Sequence, residues 1–341
     1  MSDSNIELLV VGAGPAGCAA AVQFKRLGGS PVLLDRSGVA GGLISNAFRV
    51  ENYPGSERPL RGSELAQRLG QFLDRFGLKV RRGEVASIRP VERRVPESPR
   101  NVDPYDDQPL PAPLETSRPG FRVTGDFGEL AARSVVLACG TVPLHPGIPG
   151  EELLGGRVYY EVNDLLAFLP RTAAVVGGGE AALDYSLSLA DAGARVHLLV
   201  RSSTLRATGR LVDMIEKEPR ITVSLSTPVL ELLRPSANRV ELVVPGRRIS
   251  VDGAVLAVGR RTVVTSLLPP PPPPLPASSG AASPPVRPTT QATSPSCLTS
   301  IPGLFIAGDA RLGGLGQAGI AVGDGLWCAA EAAAFLGKNA V

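Results

Sequence analysis

The stretch Leu9-Val10-Val11-Gly12-Ala13-Gly14-Pro15-Ala16-Gly17, with Asp35 closing the next apolar run, constrains the fold of this chain more than any other feature. Ile6 to Val11 has the length and β-branched content of a strand, and Ala19 to Leu27 suits the helix that should follow. In between, each glycine has its own task. Gly12 permits a tight turn, Gly14 lets backbone approach a phosphate, and Gly17 lets the helix pack close on the strand. The unpaired amides and positive dipole of a helix N-terminus attract an anionic pyrophosphate, here along Gly14, Pro15, Ala16 and Gly17. Val32 to Leu34 forms the second strand. Asp35, eighteen residues beyond Gly17, is placed to accept ribose hydroxyls. Strand, glycine turn, helix, strand and acid in this order predict a dinucleotide site with room for an adenylate half, and so FAD rather than FMN.

A second turn of the same kind follows at Gly177-Gly178-Gly179-Glu180-Ala181-Ala182, between a strand at Ala173 to Val176 and a helix at Ala182 to Ala192. The next strand, Arg195 to Val200, ends in Arg201, where an NAD site would carry an acid. An arginine there accommodates a 2′-phosphate, which favours NADPH over NADH, and Arg206 is a candidate helper. Gly179, Glu180 and Ala181 are the expected coenzyme contacts. With 341 residues, two domains fit better than one. A net charge of +3, without long basic runs, gives no electrostatic case for nucleic acid. No membrane-length apolar span and no signal peptide are visible, so a cytoplasmic location is expected. The four cysteines, at 18, 139, 297 and 328, have no CxxC and no metal spacing.

Gly41-Gly42-Leu43, followed by Glu51-Asn52-Tyr53-Pro54-Gly55, resembles the flavin segment of the low-molecular-weight thioredoxin reductases, within the FAD/NAD(P)-dependent pyridine nucleotide-disulfide oxidoreductases. The resemblance extends over nearly the whole chain. It implies an α/β fold of two Rossmann-like, doubly wound, three-layer nucleotide-binding domains, the NAD(P) domain inserted into the FAD domain. Residues 1–150 would be the first part of the FAD domain, 151–262 the NAD(P)H domain, 263–298 a Pro-rich insertion and 299–341 the second part of the FAD domain. Asn52 would serve the isoalloxazine edge, Val85 the adenine, and Ala138 and Gly140 the flavin nucleotide. Gly308-Asp309 would hold the ribityl or pyrophosphate region, and Gln317-Ala318 would bring a helix N-terminus to the flavin pyrimidine. A homodimer is implied as well.

Two departures from the family matter. Gly316 replaces the usual arginine before Gln317, and the family's Cys-x-x-Cys-Asp aligns with Tyr160, Asn163 and Asp164. Neither Tyr160 nor Asn163 can form a disulfide. Hydride transfer from NADPH to FAD and on to an external acceptor is therefore expected. Ferredoxin, flavodoxin or thioredoxin-like proteins, quinones and small disulfides are all open as acceptors. A flavin-binding regulatory or sensor protein with little turnover is the alternative. Tyr160, Asn163 and Asp164 are the candidate catalytic residues, with Tyr160 stacking on or shielding the flavin in one domain orientation.

For the remaining chain, Glu64 to Phe76 reads as an amphipathic helix and Val80 to Ile88 as one strand. Arg94 to Gly120 reads as a loop. Ile221 to Leu225, Val229 to Leu233, Val240 to Val244 and Ile249 to Val251 suggest a four-stranded meander. Six prolines at 269 to 274 suggest a polyproline II or disordered excursion.

Overall fold

The computed structural model describes residues 6–96, 115–151, 156–268, 297–312 and 316–338. β1 (Ile6–Val11) enters α1 (Pro15–Arg26), and β2 (Pro31–Asp35) returns parallel to β1. After a short 3-10 helix (Gly42–Asn46) come α2 (Gly62–Arg75), β3 (Val80–Arg82), β4 (Val85–Pro96), β5 (Glu115–Gly125), β6 (Gly128–Leu137) and β7 (Thr141–Pro143). The sheet order is β3-β2-β1-β6-β5-β4. Alternate residues of β1 feed two cores. Leu8 and Val10 pack with α1, whereas Leu9 and Val11 pack on the opposite face. Burial on both faces of a parallel sheet is what its continuous apolar run requires.

The second sheet is built from β8 (Val158–Tyr159), followed by α3 (Val162–Leu166), then β9 (Thr172–Val176), α4 (Glu180–Asp191), β10 (Arg195–Leu199), α5 (Gly209–Lys217) and β11 (Ile221–Ser224). β12 (Glu231–Ser236), β13 (Arg239–Val244) and β14 (Arg247–Val251) form an antiparallel meander, after which β15 (Gly253–Leu256) returns beside β9. The parallel order is β11-β10-β9-β15-β8. β16 (Arg260–Thr262) pairs antiparallel with β7, so two strands cross between the sheets. Past α6 (Val264–Leu267), β17 (Leu304–Ile306) rejoins the first sheet beside β6, and α7 (Asp309–Leu312) and α8 (Ala318–Phe335) complete it. The first sheet is thus closed by a segment that arrives after the whole second sheet.

α8 crosses α1 at very close range because small residues line both. A Cβ on Gly325 would stand 2.1 Å from Ala16 O. Gly325→Ala should therefore force the helices apart and lower stability by about 1–3 kcal/mol, as overpacking does. Urea unfolding would check this; an unchanged midpoint would mean the helices separate at no cost.

Three expectations change. Val80 to Ile88 is two strands, because Gly83 N–H turns to Asp35 O (3.0 Å) and the chain leaves parallel pairing with β2 for antiparallel pairing with β5. The loop expected at Arg94 to Gly120 is shorter. β4 runs to Pro96 and β5 starts at Glu115, joined by a backbone ladder that needs no hydrophobic period; 97–114 lie outside the described residues. The meander has three strands, since Ile221–Ser224 pairs parallel with β10, Val196 opposite Ile221, after a crossover through α5. The proline run lies outside the described residues.

Candidate functional site: two nucleotide cradles and the contact between them

β1 delivers the chain to Gly12, whose φ of +103° and lack of a Cβ are both needed: a Cβ there would meet Ala138 O at 2.3 Å. Gly12 N–H donates to Leu34 O (2.7 Å) and Ala138 N–H to Val11 O (2.8 Å), which fixes the turn at the carboxyl ends of three strands. Gly17 is equally confined, with a Cβ only 1.7 Å from Gly12 O. Gly14 differs. It is the N-cap of α1, and its absent Cβ faces open space, the nearest atom being Gly41 O at 3.9 Å. The first N–H bonded back to it within the helix is that of Cys18, to Gly14 O at 3.0 Å, which leaves the preceding amides of Ala16 and Gly17 to a ligand. Space, free donors and dipole coincide there, so the turn fits a pyrophosphate.

The other expected FAD contacts gather around this turn. Asp35 accepts Ala13 N–H (2.9 Å) through one oxygen and the Ser37 amide and hydroxyl (2.8 and 2.6 Å) through the other. Gly41 N–H donates to Ala13 O (2.8 Å), and Gly42, with φ +58°, comes so close to Gly14 that a Cβ would sit 3.1 Å from its Cα. Leu43 follows in the 3-10 helix. Asn52 donates from its side-chain amide to Gln317 Oε1 (2.6 Å), joining two residues 265 positions apart. Gln317 is the N-cap of α8 and Ala318, its first residue, is buried. Gly140 has φ +61° beside the buried Ala138, and Val85 opens β4, half-buried.

Gly308, at φ +66°, packs against Ala16 and Ala321, and Asp309 opens α7. Burial pushes the Asp309 carboxyl above its ordinary range, opposed by the Gly316 N–H and by Arg260. What braces this corner has no signature in the sequence. Asp324 accepts Gly308 N–H (3.0 Å) and both Arg311 Nε (3.1 Å) and Nη2 (2.7 Å) in a nearly buried ion pair. Asp324→Ala would strand the guanidinium and the amide together. A loss of about 3–5 kcal/mol in urea unfolding is expected; a loss below about 1 kcal/mol would show that the pair does not hold the corner.

The second cradle repeats the design. A Cβ on Gly177 (φ +146°) would meet Ala257 O at 2.3 Å, and one on Gly178 would meet Val200 Cγ1 at 2.6 Å. Gly179, the N-cap of α4, is open like Gly14, its nearest atom Arg206 O at 4.0 Å. Glu180 and Ala181, both exposed, start the helix. Arg201, exposed, follows β10 directly. Arg206 is brought over the turn by its own N–H, which donates to Gly178 O (2.6 Å).

The three candidate catalytic residues do not form one cluster. Tyr160 OH is hydrogen-bonded to Glu151 and lies 2.7 Å from His145 Nδ1, with its ring edge-on to that imidazole and packed against the core shared by β15 and the meander. In this domain orientation the Glu151 carboxylate anchors the Tyr160 hydroxyl at the crossover. Asn163 reaches across to the 3-10 helix, donating to Ser45 O (3.0 Å). Asp164 is exposed on α3.

Between the cradles lies a hub that sequence reading missed. Glu161 accepts Asn46 Nδ2 (2.9 Å) and Tyr185 OH (3.1 Å) on one oxygen and Arg260 Nη1 (2.7 Å) on the other, while Arg260 also holds the Thr141 hydroxyl and carbonyl. Asp184 of α4 accepts Phe48 N–H at 2.8 Å. Burial pushes its carboxyl up to about 6 from 3.8, opposed by the Phe48 and Arg49 amides and assisted by Glu180. The folded state therefore favours neutral Asp184. That contribution is full below pH 3.8 and is lost as pH rises through about 6. It amounts to about 3 kcal/mol. Asp184→Asn keeps an acceptor for Phe48 N–H and should flatten this part of the pH-stability profile while raising stability at neutral pH. Parallel profiles of the two proteins in urea would contradict the assignment.

The sequence profile of the pyridine nucleotide-disulphide oxidoreductases matches residues 6–325. The chain belongs to that family. Thioredoxin reductase of Treponema pallidum is 29% identical over 342 residues, covering 98% of each chain. That of Bacillus subtilis is 31% identical over 210 residues, 61% of this chain and 58% of the relative. Among solved structures, Lactococcus lactis thioredoxin reductase in its FR conformation superposes with a TM-score of 0.74 at 27% identity, covering 97% of this chain and 99% of that one. Thioredoxin reductase of T. acidophilum gives 0.73 at 26% identity, covering 97% and 98%. This thioredoxin reductase-like family uses FAD and NADPH, and its members are oxidoreductases. Among the described residues no helix is long and apolar enough to cross a membrane.

Proposed function

We propose that this family member takes hydride from NADPH onto FAD and passes the electrons to an external acceptor without a dithiol relay of its own. The observation that carries the reading is the pair Tyr160 and Asn163. Counted back without a gap from Gly177 they align with the family's two cysteines, and their polar groups are engaged with Glu151 and Ser45. No cysteine lies between 140 and 296. Burial pushes the Cys18 thiol up to about 12 and the Cys139 thiol up to about 11, so neither is a competent thiolate at neutral pH.

Bound FAD supplies two-electron acceptance and stepwise release, the chemistry that side chains lack. The chain's own part is placement. The α1 amides and Asp35 hold the adenylate half, Gly308 and Asp309 the middle, and the α8 N-terminus with the Asn52–Gln317 pair directs donors and a positive dipole at the ring end. Arg201 and Arg206 bind the 2′-phosphate of the donor. A ferredoxin- or flavodoxin-like carrier, a quinone or a small disulfide is the acceptor class, and a homodimer in the cytoplasm is the assembly.

Steady-state NADPH oxidation tests this. Ferricyanide and a quinone should sustain turnover, whereas thioredoxin with a disulfide dye should add nothing above background. A thioredoxin-dependent rate comparable to the ferricyanide rate would overturn the reading, and no flavin reduction by either nicotinamide would favour a sensor.

A further inference from the structure

Behind the Gly308 corner, two cysteines remote in sequence meet. Cys297 lies seven residues before β17, and its carbonyl accepts Ile306 N–H (3.0 Å) from that strand. Its Sγ lies 3.7 Å from Asp324 O, in α8. Cys328, one helical turn further along α8, places its Sγ 3.6 Å from Ile306 O. The two thiols share one buried core cluster, at 2% and 0% exposure, each set against a carbonyl of the element that carries or adjoins the other. Leu298 and Phe305, next in sequence to Cys297 and Ile306, line a cavity of about 300 Å³ that stops short of the thiols themselves.

We propose that Cys297 and Cys328 are an oxidisable dithiol that closes into a disulfide, fastening the segment before β17 to α8. The inference does not depend on the reaction proposed above. Cys297 is the nucleophile. The neighbouring Cys328 and Arg311 hold its thiol below the ordinary range, against burial, Asp324 and Glu331. Cys328 is pushed up by the same contact and by burial, and so remains the protonated, resolving thiol. With hydrogen peroxide as oxidant, the Cys297 sulfur attacks one peroxide oxygen, the O–O bond breaks, and one water leaves with a proton, giving a sulfenic acid. Cys328 sulfur then displaces the sulfenic oxygen as a second water. Two thiols and one peroxide become one disulfide and two waters.

Such a bond in a reducing compartment would be transient and sensing rather than structural. Its effect would be local and strong, because the stapled helix carries Asp324, which holds Gly308 and Arg311 at the FAD corner.

The test is thiol mapping on the full-length protein. After brief peroxide treatment, alkylation in denaturant should label two of the four cysteines, and digestion should yield one disulfide-linked peptide joining 297 to 328, lost on adding dithiothreitol. Cys328→Ser should stop at a sulfenic acid on Cys297 that dimedone traps. Four alkylatable thiols after peroxide, or a bridge between any other pair, would overturn the proposal. The wild-type map decides the matter even if the serine variant folds poorly.

Discussion

Gly14→Val should give folded protein with no flavin. The expectation follows from the unequal confinement of three glycines that look alike in sequence. A side chain at Gly12 or Gly17 runs into backbone at 2.3 or 1.7 Å, so those substitutions attack the fold itself. At Gly14 the added carbons enter open space, and φ is −72°, which any residue adopts. The cost to the apoprotein is that of a poor N-cap, about 1 kcal/mol. The cost to the cofactor is the approach of its pyrophosphate to the α1 amides, and flavin content should fall by more than about tenfold. Gly17→Val, by contrast, should be recovered mainly as aggregate. Absorbance of the purified variants with their melting curves checks both; full flavin in Gly14→Val would place the pyrophosphate elsewhere.

Arg201→Ala should raise the KM for NADPH by roughly tenfold to a hundredfold and leave that for NADH nearly unchanged. The range is the loss of a charge-assisted bond to a phosphate, about 1.5–3 kcal/mol. Arg201 is exposed and follows the end of β10, so its removal should not disturb the sheet. Arg206→Ala should have a smaller effect, since the backbone bond of residue 206 to Gly178 O persists without the side chain. Equal loss for both coenzymes would remove the 2′-phosphate from the account.

Both cradles were legible in the sequence because each is local: strand, glycine turn and helix fall within about twenty residues, and the steric demands at Gly12, Gly17 and Gly177 leave little choice of residue. The α8 N-terminus was legible through resemblance, and Asn52 and Gln317 prove to be hydrogen-bonded partners. The Glu161 hub and the Asp184–Phe48 bond had no such signal. Apart from Tyr185, 24 positions from Glu161, their partners are separated by 99 to 136 positions, and a lone Glu or Asp at a helix reads as a solvated charge. Asp324 and Arg311 are only thirteen apart, yet their pairing depends on the turn at Gly308 bringing α7 back against α8. Tyr160 was placed against the flavin by alignment with a cysteine. Its bonds to Glu151 and His145 depend on the crossover's path, which the alignment did not carry. Ile221 to Leu225 reads as part of the meander, and not as the neighbour of β10, because so short a strand carries no record of its partner.

The absence of an internal dithiol relay is the central claim, and anaerobic titration with NADPH tests it most directly. Cys328→Ser is the protein to use, so that the Cys297–Cys328 pair cannot take up electrons. NADPH delivers two electrons and a flavin accepts two, so bleaching of the flavin absorbance should be complete at about one equivalent per FAD. A requirement for about two equivalents would reveal a second two-electron centre and contradict the account.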